Sequence, residues 1–280
     1  MSVELRPARI NTMAPEGKDH LLRVVRAERA MFYQLIDSTD DQTWKTPTAC
    51  TEWEIRDVVG HMVDVTEAYI ERFALSRARE PFPPAHGLPA MAGMLDESAK
   101  RFRSSPRAQL VARLKESSAR LFEIFDSLTP EQWTGEMVPH VYMGPLPTFF
   151  YPAFQLMDYS LHGWDIRAGM GESRPLSDDA AAVLVPYMFV LLKYTVDADH
   201  ARGVDASWGV RVSGEQGGSW KVRLENGELS YDEASLAGCP VVFNFDPNDF
   251  VLTAFQRIQG GAPIGDQATA RVVRQLFFKI

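Results

Sequence analysis

Apolar side chains in the first half of the chain recur at steps of three and four. Leu21, Leu22, Val25, Phe32, Leu35 and Ile36 predict a helix over 16–38. Ile55, Val58, Met62, Val65, Tyr69 and Phe73 predict a second helix, which starts near Thr51 and fades before Pro81. Thr51 and Glu54 stand at the spacing of a capping box. The proline-rich stretch 81–89 reads as a surface loop. Residues 94–127 are helical in pattern, with core positions at Leu110, Leu114, Leu121, Phe122 and Phe125 and a break expected at Ser104-Ser105-Pro106. Four prolines and two glycines make 129–150 an irregular crossing. A fourth helix covers about 151–168 and ends near Gly169 and Gly171. Amphipathic helices joined by long connections predict a four-helix bundle.

Beyond Gly171 the pattern changes. Residues 177–198 predict one more helix, strongly apolar on one side. From Trp208 the period shortens to two, through Val210 and Val212, then Trp220, Val222 and Leu224. Asn226-Gly227 is a hairpin signal, followed by Leu229 and Tyr231. Val241–Phe245 reads as a short strand, Asp246 to Asp249 as the cap of a helix running through Arg257, and 267–278 as a terminal helix. The fold class is therefore α+β: a helical bundle over 1–172 and a small α+β domain over 173–280.

Composition narrows the function classes. At 280 residues the chain is long for one core and natural for two. Its formal charge of −8 argues against nucleic acid as a partner, since gripping a phosphate backbone needs an excess of Lys and Arg. The most apolar run, 180–192, is interrupted by Pro186 and falls short of the roughly 20 residues that span a bilayer, so no membrane association is expected. Residues 1–11 lack the apolar stretch of a signal peptide. Cys50 and Cys239 form neither a disulfide framework nor a paired-thiolate motif, which points to the reducing cytoplasm.

Two of the six histidines lie in strongly helical, apolar segments. His61 sits between Val58 and Val65, near an inward face, where imidazole nitrogens need partners. Asp158 and His162, at i and i+4, project from one face of the fourth helix. A carboxylate turned towards Phe154, Met157, Leu161 and Ile166 needs a cation or several donors. A divalent metal held by His61, Asp158 and His162 meets that need. Two imidazoles and one carboxylate suit zinc, nickel or iron(II) and leave coordination positions open, as in catalytic sites. The spacing alone is met better by a hydrogen-bonded Asp158–His162 pair beside a satisfied core histidine, since an isolated D-x-x-x-H is a weak motif.

The flanking residues decide between these. Trp44-Lys45-Thr46-Pro47-Thr48-Ala49-Cys50-Thr51-Glu52-Trp53-Glu54-Ile55-Arg56-Asp57-Val58-Val59-Gly60-His61 closely resembles the N-terminal signature of the mycothiol-dependent maleylpyruvate isomerase family, within the DinB-like group of metal-binding four-helix bundles. Asp158-Tyr159-Ser160-Leu161-His162-Gly163-Trp164-Asp165 resembles its second signature. The resemblance implies a metal, zinc foremost, on His61, Asp158 and His162. It also departs from the family, which has glutamate where Asp158 stands. Val241–Phe245, 250–261 and Ile264-Gly265-Asp266 resemble, more loosely, the sterol-carrier-like domain of family members. What the family implies is a low-molecular-weight thiol such as mycothiol, activated by the metal, adding to a small electrophilic substrate in isomerisation or S-transfer. The Asp158 departure keeps open a thiol-independent metal-dependent tailoring enzyme or hydrolase, and the C-terminal part keeps open a non-catalytic carrier of apolar ligands.

Other residues take lesser roles. Asp165 stands three residues beyond His162, where it can orient the imidazole from the outer shell or pair with an arginine such as Arg167. Trp53 and Trp164 read as packing residues. Cys50 reads as a small buried filler, with no histidine near it in sequence. His140, in the proline-rich crossing, can reach the open side of the site, although most loop histidines take no special part. Arg72, eleven residues after His61 on the same helical face, can bind an acidic substrate, although a solvated arginine is the plainer reading.

Overall fold

The computed structural model describes residues 9–50, 52–78 and 81–279. The chain divides between Leu176 and Ser177 into two compact units, and Arg9 and Ile10 group with the second. The boundary read at 172/173 thus falls four residues early on this division, and the first unit begins at Asn11.

The first unit is helical. It comprises α1 (Lys18–Asp37), α2 (Ile55–Ala78), α3 (Met91–Lys100), α4 (Arg107–Ser127), α5 (Pro130–Gly135), a hairpin of β1 (Met137–His140) and β2 (Gly144–Pro147), and α6 (Phe150–Gly169). Helix α1 packs on α6, and α2 packs on α4. Thr51, one half of the expected capping box, lies outside the described residues. The start of α2 is instead held from within, because the Glu54 N–H donates to Asp57 Oδ2 at 3.0 Å. Asp57 is fully buried, and its carboxylate also accepts two hydrogen bonds from Arg103. The expected break falls where proline disfavours helix in the residue before it: a 3-10 turn, Arg101–Ser104, separates α3 from α4. Gly60 allows α3 to approach α2, since a Cβ there would lie 2.7 Å from the Ala99 carbonyl oxygen.

The crossing at 129–150 is more regular than its composition predicts. Thr129 and Gln132 cap α5 reciprocally, with Pro130 in the first turn, where no N–H is missed. In the hairpin Pro139 faces Pro145. Two residues without N–H groups can oppose each other only at a non-hydrogen-bonded position, so both are tolerated in a two-stranded ribbon. Helix α6 is enclosed on nearly all sides. Between Phe150 and Ile166 only Phe154, Asp158 and Trp164 are not buried.

The second unit holds α7 (Asp178–Tyr194), α8 (Ala198–Ala201), β3 (Ala206–Val212), β4 (Gly218–Glu225), β5 (Glu228–Glu233), β6 (Val241–Phe245), α9 (Pro247–Ala254), β7 (Ala262–Gly265) and α10 (Gln267–Gln275). The sheet order is β5-β4-β3-β6-β7. Its pairings are antiparallel except β3 with β6, where Val210 lies opposite Phe243. Asn226 and Gly227 both have positive φ, the backbone of a type I′ hairpin turn. The helix read over 177–198 stops at Tyr194, and β7, an exposed edge strand, had no apolar alternation to reveal it. Phe189 of α7 meets the rings of Trp220, Tyr231 and Phe250 at 4.6, 5.1 and 4.9 Å. Beside this core is a cavity of about 390 Å³, walled by Trp208, Val222, Phe243 and Phe250, with Gln256 and Arg274 among its polar members. No described helix is long and apolar enough to cross a membrane.

Candidate metal centre

Helices α2 and α6 bring three side chains together. One ligand atom from each of His61, Asp158 and His162 lies within 4.8 Å of the other two. The imidazoles stand edge to face, 4.9 Å between centroids and 78° between planes. His61 Nε2 is 3.8 Å from Asp158 Oδ1, too far for a hydrogen bond. Asp158 Oδ2 and His61 Nδ1 are buried without hydrogen-bond partners among the described residues. Burial holds the His61 pKa below its ordinary value, against the upward pull of Asp158. His61 is thus the neutral imidazole, the form that offers a lone pair.

Outer contacts fix these rings. His162 Nδ1 is 3.0 Å from Oδ2 of the fully buried Asp165. With the proton on Nδ1 donated to that carboxylate, the Nε2 lone pair is left for a ligand role. The Trp53 ring packs 5.1 Å from His61 and 5.9 Å from His162, and its Nε1–H donates to Asp96. Trp53 is therefore both a packing residue and a wall of the site. Trp164 is half-buried, about a third of a helical turn away from the Asp158 direction.

The loop before α2 docks on the end of α6. The Ala49 N–H donates to the Asp165 carbonyl at 3.0 Å. Gly169 permits this approach, as a Cβ there would stand 2.2 Å from the Pro47 carbonyl oxygen. The docking corrects the reading of Cys50. It is half-exposed rather than buried, and a ligand atom from each of Cys50, His162 and Asp165 lies within 4.8 Å of the other two. Residues 50 and 162 are far apart in sequence, so only the fold reveals this neighbour.

His140 and Arg72 stand on the accessible side. The His140 ring lies 5.0 Å from Phe154, one turn before Asp158, and 6.4 Å from Tyr69. Burial holds its pKa down at about 4; Asp158 pulls it up and Arg72 pushes it further down. Arg72 is half-buried and has no ion pair or hydrogen bond among the described residues.

Two imidazole nitrogens and a carboxylate oxygen are a donor set that could hold zinc, nickel or iron(II). Ligands about 2.0–2.2 Å from one ion sit roughly 3–4 Å apart, which the His61–Asp158 separation matches. The orphaned Asp158 oxygen is the kind of buried acceptor that a cation satisfies.

A family model described as the mycothiol maleylpyruvate isomerase N-terminal domain matches residues 25–167. The crystal structure of the mycothiol-dependent maleylpyruvate isomerase aligns with a TM-score of 0.59 at 13% identity, covering 88% of this chain and 92% of that chain. The structure of a histidine-to-alanine mutant of that isomerase gives the same values. At this identity the likeness shows the fold, a helix-rich region followed by a small sheet-containing domain. No curated protein sequence matches the chain. With the matched span running through α2 and α6, the chain belongs to the mycothiol maleylpyruvate isomerase N-terminal domain family.

Proposed function

We propose that the chain is a metal-dependent enzyme in which His61, Asp158 and His162 hold one divalent ion, zinc before nickel or iron. A low-molecular-weight thiol such as mycothiol is its cosubstrate, and the reaction is isomerisation or S-transfer on a small electrophile. The carrying observation is the convergence of two histidines and a carboxylate with an orphaned buried oxygen, on two helices of this family's domain. When bound, the ion supplies the Lewis acidity that keeps a thiol in its nucleophilic thiolate form. The chain's own residues supply the rest. His61 and His162 present lone pairs, Asp165 orients His162, and Trp53 shields both rings from water on one side. Phe154 and Asp158, the accessible positions on that face of α6, mark the approach for substrate. Asp158 is one methylene shorter than the glutamate that the resemblance leads one to expect at this position. Cysteines outside any disulfide and a thiol cosubstrate fit the cytoplasm.

Elemental analysis of the purified protein tests this reading, with about one metal ion expected per chain. His61→Ala and His162→Ala should lose the ion, and a metal-free native protein sinks the proposal. Turnover with mycothiol or glutathione, set against none without thiol, supports the transfer chemistry. Turnover without thiol makes the chain a metal-dependent hydrolase or tailoring enzyme.

The cavity of the second unit favours a further reading, that of an apolar-ligand carrier. About 390 Å³ behind aromatic and aliphatic walls is within the range of small-molecule sites. Native mass spectrometry that finds an apolar ligand and no metal would favour it over the enzyme.

A further inference from the structure

His140 is held in one tautomer by its own hairpin. Its Nδ1 accepts hydrogen bonds from the Tyr142 N–H at 3.3 Å and the Met143 N–H at 3.1 Å. An imidazole that accepts at Nδ1 and stays neutral carries its proton on Nε2. That Nε2–H has no hydrogen-bond partner among the described residues. The ring is not loose, because Phe154, Tyr142, Tyr69 and Tyr151 surround it at 5.0 to 6.4 Å. A rigid, partly accessible donor therefore sits one turn of α6 from Asp158.

Arg72 approaches the same place from α2. It lies eleven residues after His61, about 20° from the same helical direction and about 16 Å further along the axis. Long helical side chains lean back towards the N-terminus, the direction in which His61 lies from Arg72. Arg72 and Asp158 are the two charged groups that act on His140, with opposite effects. Its lack of a partner is informative, since a half-buried guanidinium has five donors to satisfy.

We propose that the His140 Nε2–H and the Arg72 guanidinium form a subsite for a carboxylate of the substrate, next to the face of Asp158 that opens to solvent. The neutral imidazole fixes the direction of one oxygen, and the arginine supplies the charge. The proposal touches the metal reading in one respect: an ion on Asp158 would offset part of that carboxylate's repulsion of such a group, leaving the donor pair itself independent of the ion.

Succinate and its neutral diamide, succinamide, are the probes, titrated into full-length protein labelled with ¹⁵N-histidine, with metal content measured on the same sample. His140 should show the Nε2–H tautomer at neutral pH, and its resonance should move saturably with succinate but not with succinamide. His140→Asn keeps an acceptor where Nδ1 stands and withdraws the Nε2 donor. It should weaken succinate by about tenfold while leaving the melting temperature and metal content unchanged. Arg72→Gln should weaken it at least as much, with partial rescue by Arg72→Lys. An Nδ1–H tautomer, absent succinate binding, equal response to succinamide, or affinity indifferent to both substitutions would overturn the subsite. Metal-loaded protein with a silent His140 sinks this subsite alone. Metal-free protein with the expected His140 response sinks the metal reading and keeps the donor pair.

Discussion

The two units solve the problem of an interior differently. The helical unit buries His61, His162, Asp57, Asp165, Glu28 and Gln155, whereas Thr195 alone represents the buried polar side chains of the second unit among the described residues. One interior is organised around hydrogen bonds and charge; the other is apolar enough to leave an apolar-walled cavity. Polar interiors are costly unless every group is met, so their presence marks where selection acted on something besides stability. The difference accords with the proposed chemistry in the helices and the alternative of hydrophobic capture in the sheet unit.

Substitutions in each unit probe that contrast. The largest effect should come from Phe189→Ala, which removes a ring packed against three others and should cost about 4 kcal/mol in the second unit. Urea unfolding read through Trp220 fluorescence would check it. A loss below about 1 kcal/mol would show that the aromatic cluster is not that unit's core. Asp57→Asn should cost about 3 kcal/mol in the helical unit, since it leaves Arg103 without its buried partner. Arg103 is partly exposed, which keeps the figure at the low end, and hydrogen exchange at the start of α2 should report it.

Acid should separate the units next. His140 titrates near 4 in the fold against 6.5 unfolded, so the unfolded chain takes up its proton first as pH falls. The contribution of the neutral ring is complete above pH 6.5 and is lost between 6.5 and about 4. The slope is at most about 1.4 kcal/mol per pH unit, and partial exposure reduces the total to about 2 kcal/mol. Subtracting the urea curves of His140→Asn from those of the parent across this window isolates the effect; parallel curves would refute it. The smallest change is expected from Val222→Phe, which fills part of the cavity. It should raise the stability of the second unit by about 1 kcal/mol and abolish uptake of an apolar dye. A loss instead would mean that the walls cannot accept the added volume.

Much of this contrast was legible in the sequence. Periodicity located α1, α2 and α4, an apolar run ending at Gly169 and Gly171 located the enclosed α6, and alternation with Asn226-Gly227 located β4 and β5. The hairpin at 137–147 was hidden because proline normally argues against strands, and only the Pro139–Pro145 pairing makes it acceptable. Strand β7 was hidden because an edge strand held by backbone hydrogen bonds need carry no pattern. At the site, His61, Asp158 and His162 were legible from their flanking signatures. The approach of Cys50 to His162 and the tautomer of His140 were not, as both depend on loops docking across the fold.

The parallel contact between β3 and β6 has a consequence for biosynthesis. Residues 11–176 form a continuous segment, so the helical unit can close while later residues are still on the ribosome. Strand β3 can zip to β4 early through their adjacent register, but its other edge waits for a strand about thirty residues downstream. Until Val241–Phe245 arrives, that edge exposes unpaired backbone beside Trp208 and Val210, the segment of a nascent chain most open to chaperones or to mispairing.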